Sequence, residues 1–212
     1  PSRTEINIRV EMSPQERDFY EALRLNAIDN INQSGQQANA SEQRIRMLAE
    51  LVKLCQACCN PKLVMAETTI PSAKLAALDA LLEELKLNNH KALIFSQFVG
   101  HLQLIKQHLE DKGFDYQYLD GSTPQKQRQA SVNAFQRGQG DIFLISLKAG
   151  GSGLNLTAAD YVIHMDPWWN PAVEEQASDR AHRIGQLRPV TIYRLITQNT
   201  IEEKIVALHK QK

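Results

Sequence analysis

From Ser72 onward the chain alternates short apolar runs with helical segments, and this alternation restricts its fold more than any other feature. Leu75, Leu78, Leu82 and Leu85 form a helical stripe, and Ala92 to Phe95 is a continuous apolar run of buried-strand length. Helix signals return between Val99 and Lys112, where Gly113 is placed to end the helix. Tyr116 to Leu119 is a strand candidate, and Thr123-Pro124 begins a helix that Gly138 closes. Further strands are expected at Ile142 to Ile145, Tyr161 to Met165 and Val190 to Ile196, and Thr200-Ile201-Glu202-Glu203 opens the last helix as a capping box. Strand–helix units of this length specify an α/β fold, a parallel sheet covered by helices on both faces.

The front of the chain has another texture. Ile6, Ile8, Val10 and Met12 alternate with polar residues, the period of a strand with one buried face. Ser13-Pro14-Gln15-Glu16 reads as a capping box with proline at the first helical position. The polar stretch from Asn30 to Ala40 is expected to be a loop. A second helix, from about Ser41 to Cys59, is expected to bury Ile45, Leu48, Leu51, Val52 and Cys55. The division is therefore residues 1–71, a strand plus helical subdomain, and residues 72–212, the α/β lobe.

Lys+Arg and Asp+Glu balance at 24 each, which argues against a globally basic nucleic-acid binder but not against a local patch. No apolar run approaches membrane-spanning length, so no membrane partner is expected, and the first residues are not a signal peptide. The ends read as those of an excised piece. Cys55, Cys58 and Cys59 crowd one segment, unlike the spaced cysteines of secreted scaffolds, and point to a reducing, cytoplasmic setting. Cys55-x-x-Cys58 has zinc-ligand spacing, but no second pair completes a tetrahedron, and packing as small apolar groups is the expectation; no metal site is assigned.

In doubly wound sheets ligands sit at the carboxyl ends of strands. Three such ends are unusual. Ser96 and Gln97 follow the first strand of the lobe, with short polar side chains that suit phosphate oxygens. Asp120-Gly121-Ser122-Thr123 follows the next, where a helix N-terminus offers free N–H groups; taken alone, Thr123 as a cap and Gly121 as a turn former is the plainer reading. Ser146-Leu147-Lys148-Ala149-Gly150-Gly151-Ser152-Gly153-Leu154-Asn155 then puts a hydroxyl, a lysine and three glycines directly after a buried strand. Glycines so dense suit a close approach by a phosphate or by another backbone. No Lys-Ser/Thr follows them, so this is not a Walker A loop.

Further on, Gln176, Arg180 and Arg183 are spaced i, i+4 and i+7, expected on one helical face. Two guanidiniums so aimed repel unless an anion, or a carboxylate such as Asp179, lies between them; a forked donor pair suits a transferring phosphoryl group. A solvated charged face is the plainer alternative.

The run Gln176 to Gln186 resembles motif VI of superfamily-two helicases, in the Swi/Snf form Asp179-Arg180-Ala181-His182-Arg183-Ile184-Gly185-Gln186. The resemblance continues through Asp166-Pro167-Trp168-Trp169-Asn170-Pro171, the Lys148 to Asn155 loop, Phe95-Ser96-Gln97-Phe98 and Cys55 to Pro61, and covers essentially the whole chain. It implies a RecA-like second motor lobe of an ATP-dependent translocase on double-stranded DNA, in which Arg180 and Arg183 reach ATP on a first lobe and Gln176 positions them. It assigns Gly151, Gly153 and Asn155 to the nucleotide. Ser96, Gln97, Gly121, Ser122, Thr123, Ser146, Lys148 and Trp169 fall to the DNA. Magnesium would be held by the first lobe, since neither Gly-x-x-x-x-Gly-Lys-Ser/Thr nor Asp-Glu-x-His occurs in this chain; alone it should not hydrolyse ATP. The implied partners are duplex DNA, the first lobe and a DNA-bound complex to be remodelled. The brevity of the front suggests a prokaryotic source and a nucleoid setting, a eukaryotic one a nuclear setting. A strand-separating helicase of the same superfamily and a degenerate, protein-binding lobe are the alternatives.

Overall fold

The computed structural model describes residues 1–34, 39–149 and 154–211. Its elements run β1 (Arg3–Val10), α1 (Pro14–Ser34), α2 (Ala40–Cys59), a 3-10 turn (Pro61–Leu63), α3 (Ala73–Leu87), β2 (Ala92–Ser96) and α4 (Val99–Asp111). β3 (Tyr116–Leu119), α5 (Gln125–Gln136), β4 (Ile142–Ser146), β5 (Tyr161–His164), α6 (Pro171–Ser178), β6 (Val190–Thr197) and α7 (Ile201–His209) follow. The six strands form one sheet in the order β1-β6-β5-β2-β4-β3, and every pairing is parallel.

The continuous apolar runs are explained by cover on both sides. Ile94, Leu144, Ile163 and Leu195 face a core shared with Leu78 and Leu82 of α3 and Leu102, Ile105 and Leu109 of α4. The alternate residues Leu93, Phe95, Phe143, Ile145 and Val162 face a second core with Val132 and Phe135 of α5 and Ala177 of α6. Neither face meets water, so no polar alternation survives in these strands. β1 occupies the sheet edge, and its burial rises from exposed Ile6 to buried Val10.

Helix starts lie near where they are expected, but neither capping box closes on itself: Thr200 Oγ1 accepts from Glu202 N at 3.2 Å, while Glu203 accepts from Asn199 N. Ser13 Oγ accepts from Glu16 N at 3.2 Å, but Glu16 does not reach back; its Oε1 accepts from Ala73 N at 3.0 Å, tying α1 to the start of α3. Burial pushes the Glu16 carboxyl up to about 7. The loop expected from Asn30 to Ala40 is corrected at both ends, since α1 continues to Ser34 and Asn39 caps α2, accepting from Glu42 N at 2.8 Å.

The burial expected along α2 is also corrected. Ile45, Leu48 and Val52 are 67%, 58% and 45% exposed. The buried residues of α2 are Leu54, Cys55, Ala57, Cys58 and Cys59, of which Leu54, Ala57 and Cys58 pack with Met12 and Tyr20. Periodicity marks an apolar stripe but not how far along the helix a neighbour covers it. The three thiols are free and buried, and burial pushes the Cys55 thiol up to about 12.

Candidate functional site

The parallel sheet sets the carboxyl ends of β5, β2, β4 and β3 in a row. Along that row lie Asp166, Ser96-Gln97, Ser146-Lys148 and Asp120-Thr123, so residues far apart in sequence share one edge. Ser96 and Ser146 are register partners at the ends of β2 and β4.

These ends differ in depth. Ser96 is 2% exposed; its hydroxyl donates to Asp166 Oδ1 at 2.6 Å and accepts from Phe98 N at 3.2 Å. Gln97 N donates to Asp166 Oδ2 at 3.3 Å, and Gln97 Nε2 donates to Pro167 O at 3.2 Å. Ser146 is 5% exposed, and the carbonyl of Ser96 accepts from Leu147 N at 2.9 Å. Asp166 is thus the post on which the β2 end is fixed. Sequence reasoning quoted it without giving it this role.

Asp166 also comes within 4.8 Å of ligand-type atoms of Cys59 and His101, all buried. The cation acting there is the Lys74 ammonium, whose charge works on both the Cys59 thiol and the His101 ring. Lys74 Nζ donates to Glu202 Oε2 and to Met165 O, each at 2.6 Å; burial works against its charge, and Glu202, Cys59 and Asp166 together outweigh burial and raise its pKa. Burial likewise pushes His101 down to about 4, so its ring is neutral near pH 7.

The β3 end is an exposed turn. Asp120 Oδ1 accepts from Ser122 N at 2.8 Å and Ser122 Oγ at 2.6 Å, and Tyr118 OH donates to Oδ2 at 2.7 Å. These donors, led by the Ser122 hydroxyl, hold the Asp120 carboxyl below the usual range. Thr123 does not cap α5; its Oγ1 accepts from Asp120 N at 3.0 Å, and Pro124 occupies the cap position without a side-chain bond. The first turn of α5 therefore keeps its open N–H groups, as the anion-binding reading requires. Arg128 clamps the turn from behind, donating to Thr123 O at 3.0 Å. Gly121 is exposed, and an added Cβ there would meet nothing within 4 Å.

Lys148 is exposed, with its Nζ 5.0 Å over the Trp168 ring. Trp169, the next residue in the chain after Trp168, is half-buried, and Asn155 is exposed. Gly151 and Gly153, assigned to the nucleotide, lie outside the described residues.

The helical face expected for Gln176, Arg180 and Arg183 is corrected. α6 ends at Ser178, and Arg180 and Arg183 follow in turns closed by bonds such as Ala181 N to Ser178 O at 3.1 Å. The agent is Gln186: buried, its Nε2 faces the carbonyls of Thr157, Ala159 and Ala181 at 3.0, 2.8 and 2.9 Å. That fixes a compact loop where a helix cannot continue. Gly185, at φ +101°, supplies the left-handed turn before it.

Gln176 is exposed, whereas Arg180 is 6% exposed, lies over Phe95 and donates to Ala149 O at 3.3 Å. Burial lowers its pKa without threatening its charge. Arg183 is exposed and donates to Leu154 O at 3.1 Å. The two guanidiniums thus hold the residues on either side of the glycine segment. Asp179 does not lie between them; it pairs with Arg3 at 3.4 Å. His182 links to the start of the chain, Nε2 to Pro1 O at 3.0 Å.

Comparisons with known proteins agree with this arrangement. The family model for the helicase conserved C-terminal domain matches residues 73–185, more than half of the chain. The SWI/SNF-related matrix-associated actin-dependent regulator of chromatin subfamily A member 1 of Mus musculus is 38% identical over 219 residues, covering 97% of this chain and 20% of that protein. The chain spans about a fifth of the length of the curated relatives it matches. The Sulfolobus solfataricus SWI2/SNF2 ATPase core in complex with dsDNA superposes with a TM-score of 0.85 at 32% identity, over all of this chain and 44% of that one. The C-terminal domain of the same ATPase superposes at 0.82 with 30% identity, over 99% of this chain and 86% of that one. Sheet order, strand-end chemistry and motif VI thus lead to one conclusion: the chain belongs to the helicase conserved C-terminal domain family and is the RecA-like C-terminal lobe of a Swi/Snf-type ATPase.

Proposed function

We propose that this lobe is the second half of an ATP-driven motor that moves along double-stranded DNA. The observation that carries the reading is the contact between its two ends: Arg180 donates to Ala149 O, and Ala149 is the residue after Lys148. A nucleotide-facing arginine and a backbone-gripping lysine are one hydrogen bond and one peptide apart.

ATP bound to the first lobe supplies the phosphoryl group to be transferred. The residues of this chain orient and stabilise it. Arg183 presents the unused part of its guanidinium to solvent, where a facing lobe would bring triphosphate oxygens, and Arg180 and Gln176 set its approach. The reading leaves magnesium to the first lobe; on this lobe the Asp120 and Asp166 carboxylates instead order the β3 and β2 ends, each accepting hydrogen bonds at both oxygens. On the DNA side, Lys148, Gln97, Ser122, the Gly121 and Thr123 backbone and Trp169 form the track for one strand's phosphates. Ser96 and Ser146 form the platform beneath it. Phosphate contacts position a protein without reading sequence, as a translocase requires. A protein complex on the duplex is the obstacle such a motor would displace.

The test is Arg183→Ala in the full-length protein, with turnover expected to fall by about three to five orders of magnitude, the range for an arginine finger. Duplex affinity should hardly change. Arg183→Lys should not rescue, because a point charge cannot reproduce the fork. Near-normal turnover in either variant would make Arg183 part of a solvated face.

A further inference from the structure

We infer that Glu174 and Arg194 form a brace that couples the DNA-gripping end of the lobe to its nucleotide-facing end, an inference that rests on the motor reading above. Glu174 lies in the first turn of α6, and its side chain is 1% exposed. Its Oε2 accepts from the backbone N of Trp168 at 2.9 Å, and its Oε1 accepts from Arg194 Nε on β6 at 2.9 Å. Trp168 is the ring on which Lys148 rests. The chain of charges continues outward. Arg194 donates to Glu5 on β1 at 3.1 Å, Glu5 accepts from Arg3 at 3.0 Å, and Arg3 pairs with Glu175 at 2.7 Å and Asp179 at 3.4 Å. Asp179 adjoins Arg180.

The short helix α6 is therefore held at its first turn to the Trp168 backbone and β6, and at its last to β1. Displacement of Trp168 by a phosphate on Lys148 must move α6 as a body, and Arg180 with it. A buried carboxylate with two fixed donors defines one position for the helix, which apolar packing of the same volume does not. The outer links are half-exposed and contribute less. Arg3, Glu5 and Arg194 all fall outside residues 73–185, so the brace recruits strands beyond the stretch that matches the family. Glu174 and Arg194 are positioning residues, touching neither nucleotide nor DNA.

The experiment measures ATP turnover of the full-length protein with and without a plain duplex, for wild type, Glu174→Gln, Arg194→Gln and the double variant. The ratio of DNA-stimulated to DNA-free turnover should fall roughly 2- to 30-fold in each single variant, the usual span of coupling changes. Duplex affinity and KM for ATP should hold. The double variant should lose no more of the ratio than the more affected single variant, since both substitutions remove the same link. Should the buried variants unfold, Glu5→Gln on the exposed part of the chain carries the test, with a lowered ratio at unchanged Tm. A ratio unchanged in folded variants, because both rates fall together or neither falls, would overturn the brace alone. A wild-type protein without DNA stimulation would remove the motor reading itself.

Discussion

Two sets of polar residues at the strand ends lie at different depths in the structure. The β2 and β4 ends carry Ser96 and Ser146, whose hydroxyls lie below the surface, that of Ser96 donated to Asp166. The β3 end and the segment after β4 carry Ser122 and Lys148 at the surface. Polar residues at the strand ends are thus buried in one place and exposed in the other. Residue type at a strand end indicates polar chemistry; only depth indicates which partner receives it.

The comparison breaks most easily at the platform. Ser96→Ala removes the hydroxyl from a buried carboxylate oxygen, and a loss of about 1–3 kcal/mol of stability is expected from denaturant unfolding. An unchanged midpoint would show that Ser96 is free to serve the ligand, and the distinction between the two ends would fall.

Lys148→Ala sharpens it from the surface side. Stability should stay within about 0.5 kcal/mol, as for exposed positions, while the log–log salt dependence of duplex binding should flatten by about one unit. Affinity should fall equally on two unrelated duplexes, because phosphates carry no sequence information. A loss confined to one duplex would indicate base readout, and an unchanged slope would place Lys148 off the track.

The smallest effect on the fold belongs to Gly121. It is not at positive φ, and open space surrounds its missing Cβ, so Gly121→Ala should leave Tm unchanged or slightly raised. Weaker duplex binding by that stable variant would show that the glycine serves an approaching backbone. Unchanged binding would leave it a plain turn residue.

Much of the fold is legible in the sequence because the lobe's strands are covered on both faces, so continuous apolar runs such as Leu93 to Phe95 admit few placements. Legibility fails where cover is partial. Ile45, Leu48 and Val52 have helical spacing as convincing as that of Leu78, Leu82 and Leu85, yet only the second set meets the sheet. It fails again at motif VI, where i, i+4, i+7 spacing reads as a helix face although Gln186 and Gly185 fold the segment into turns. Gln186 was visible in the motif but not its three carbonyl partners, which come from residues 157 to 181. Asp166 was visible only as part of the Asp166 to Pro171 run, and Glu174 and Arg194 were not singled out, because the roles of all three depend on partners that the sheet order brings alongside.

The central claim is that this lobe completes a nucleotide site it cannot form alone. The most direct measurement compares DNA-stimulated ATP turnover by the full-length protein with that of these 212 residues purified alone, at equal molar concentration. The account predicts stimulated turnover by the full-length protein and none by the isolated lobe, whose sequence contains neither Gly-x-x-x-x-Gly-Lys-Ser/Thr nor Asp-Glu-x-His. Sustained, DNA-stimulated hydrolysis by the lobe alone would contradict it.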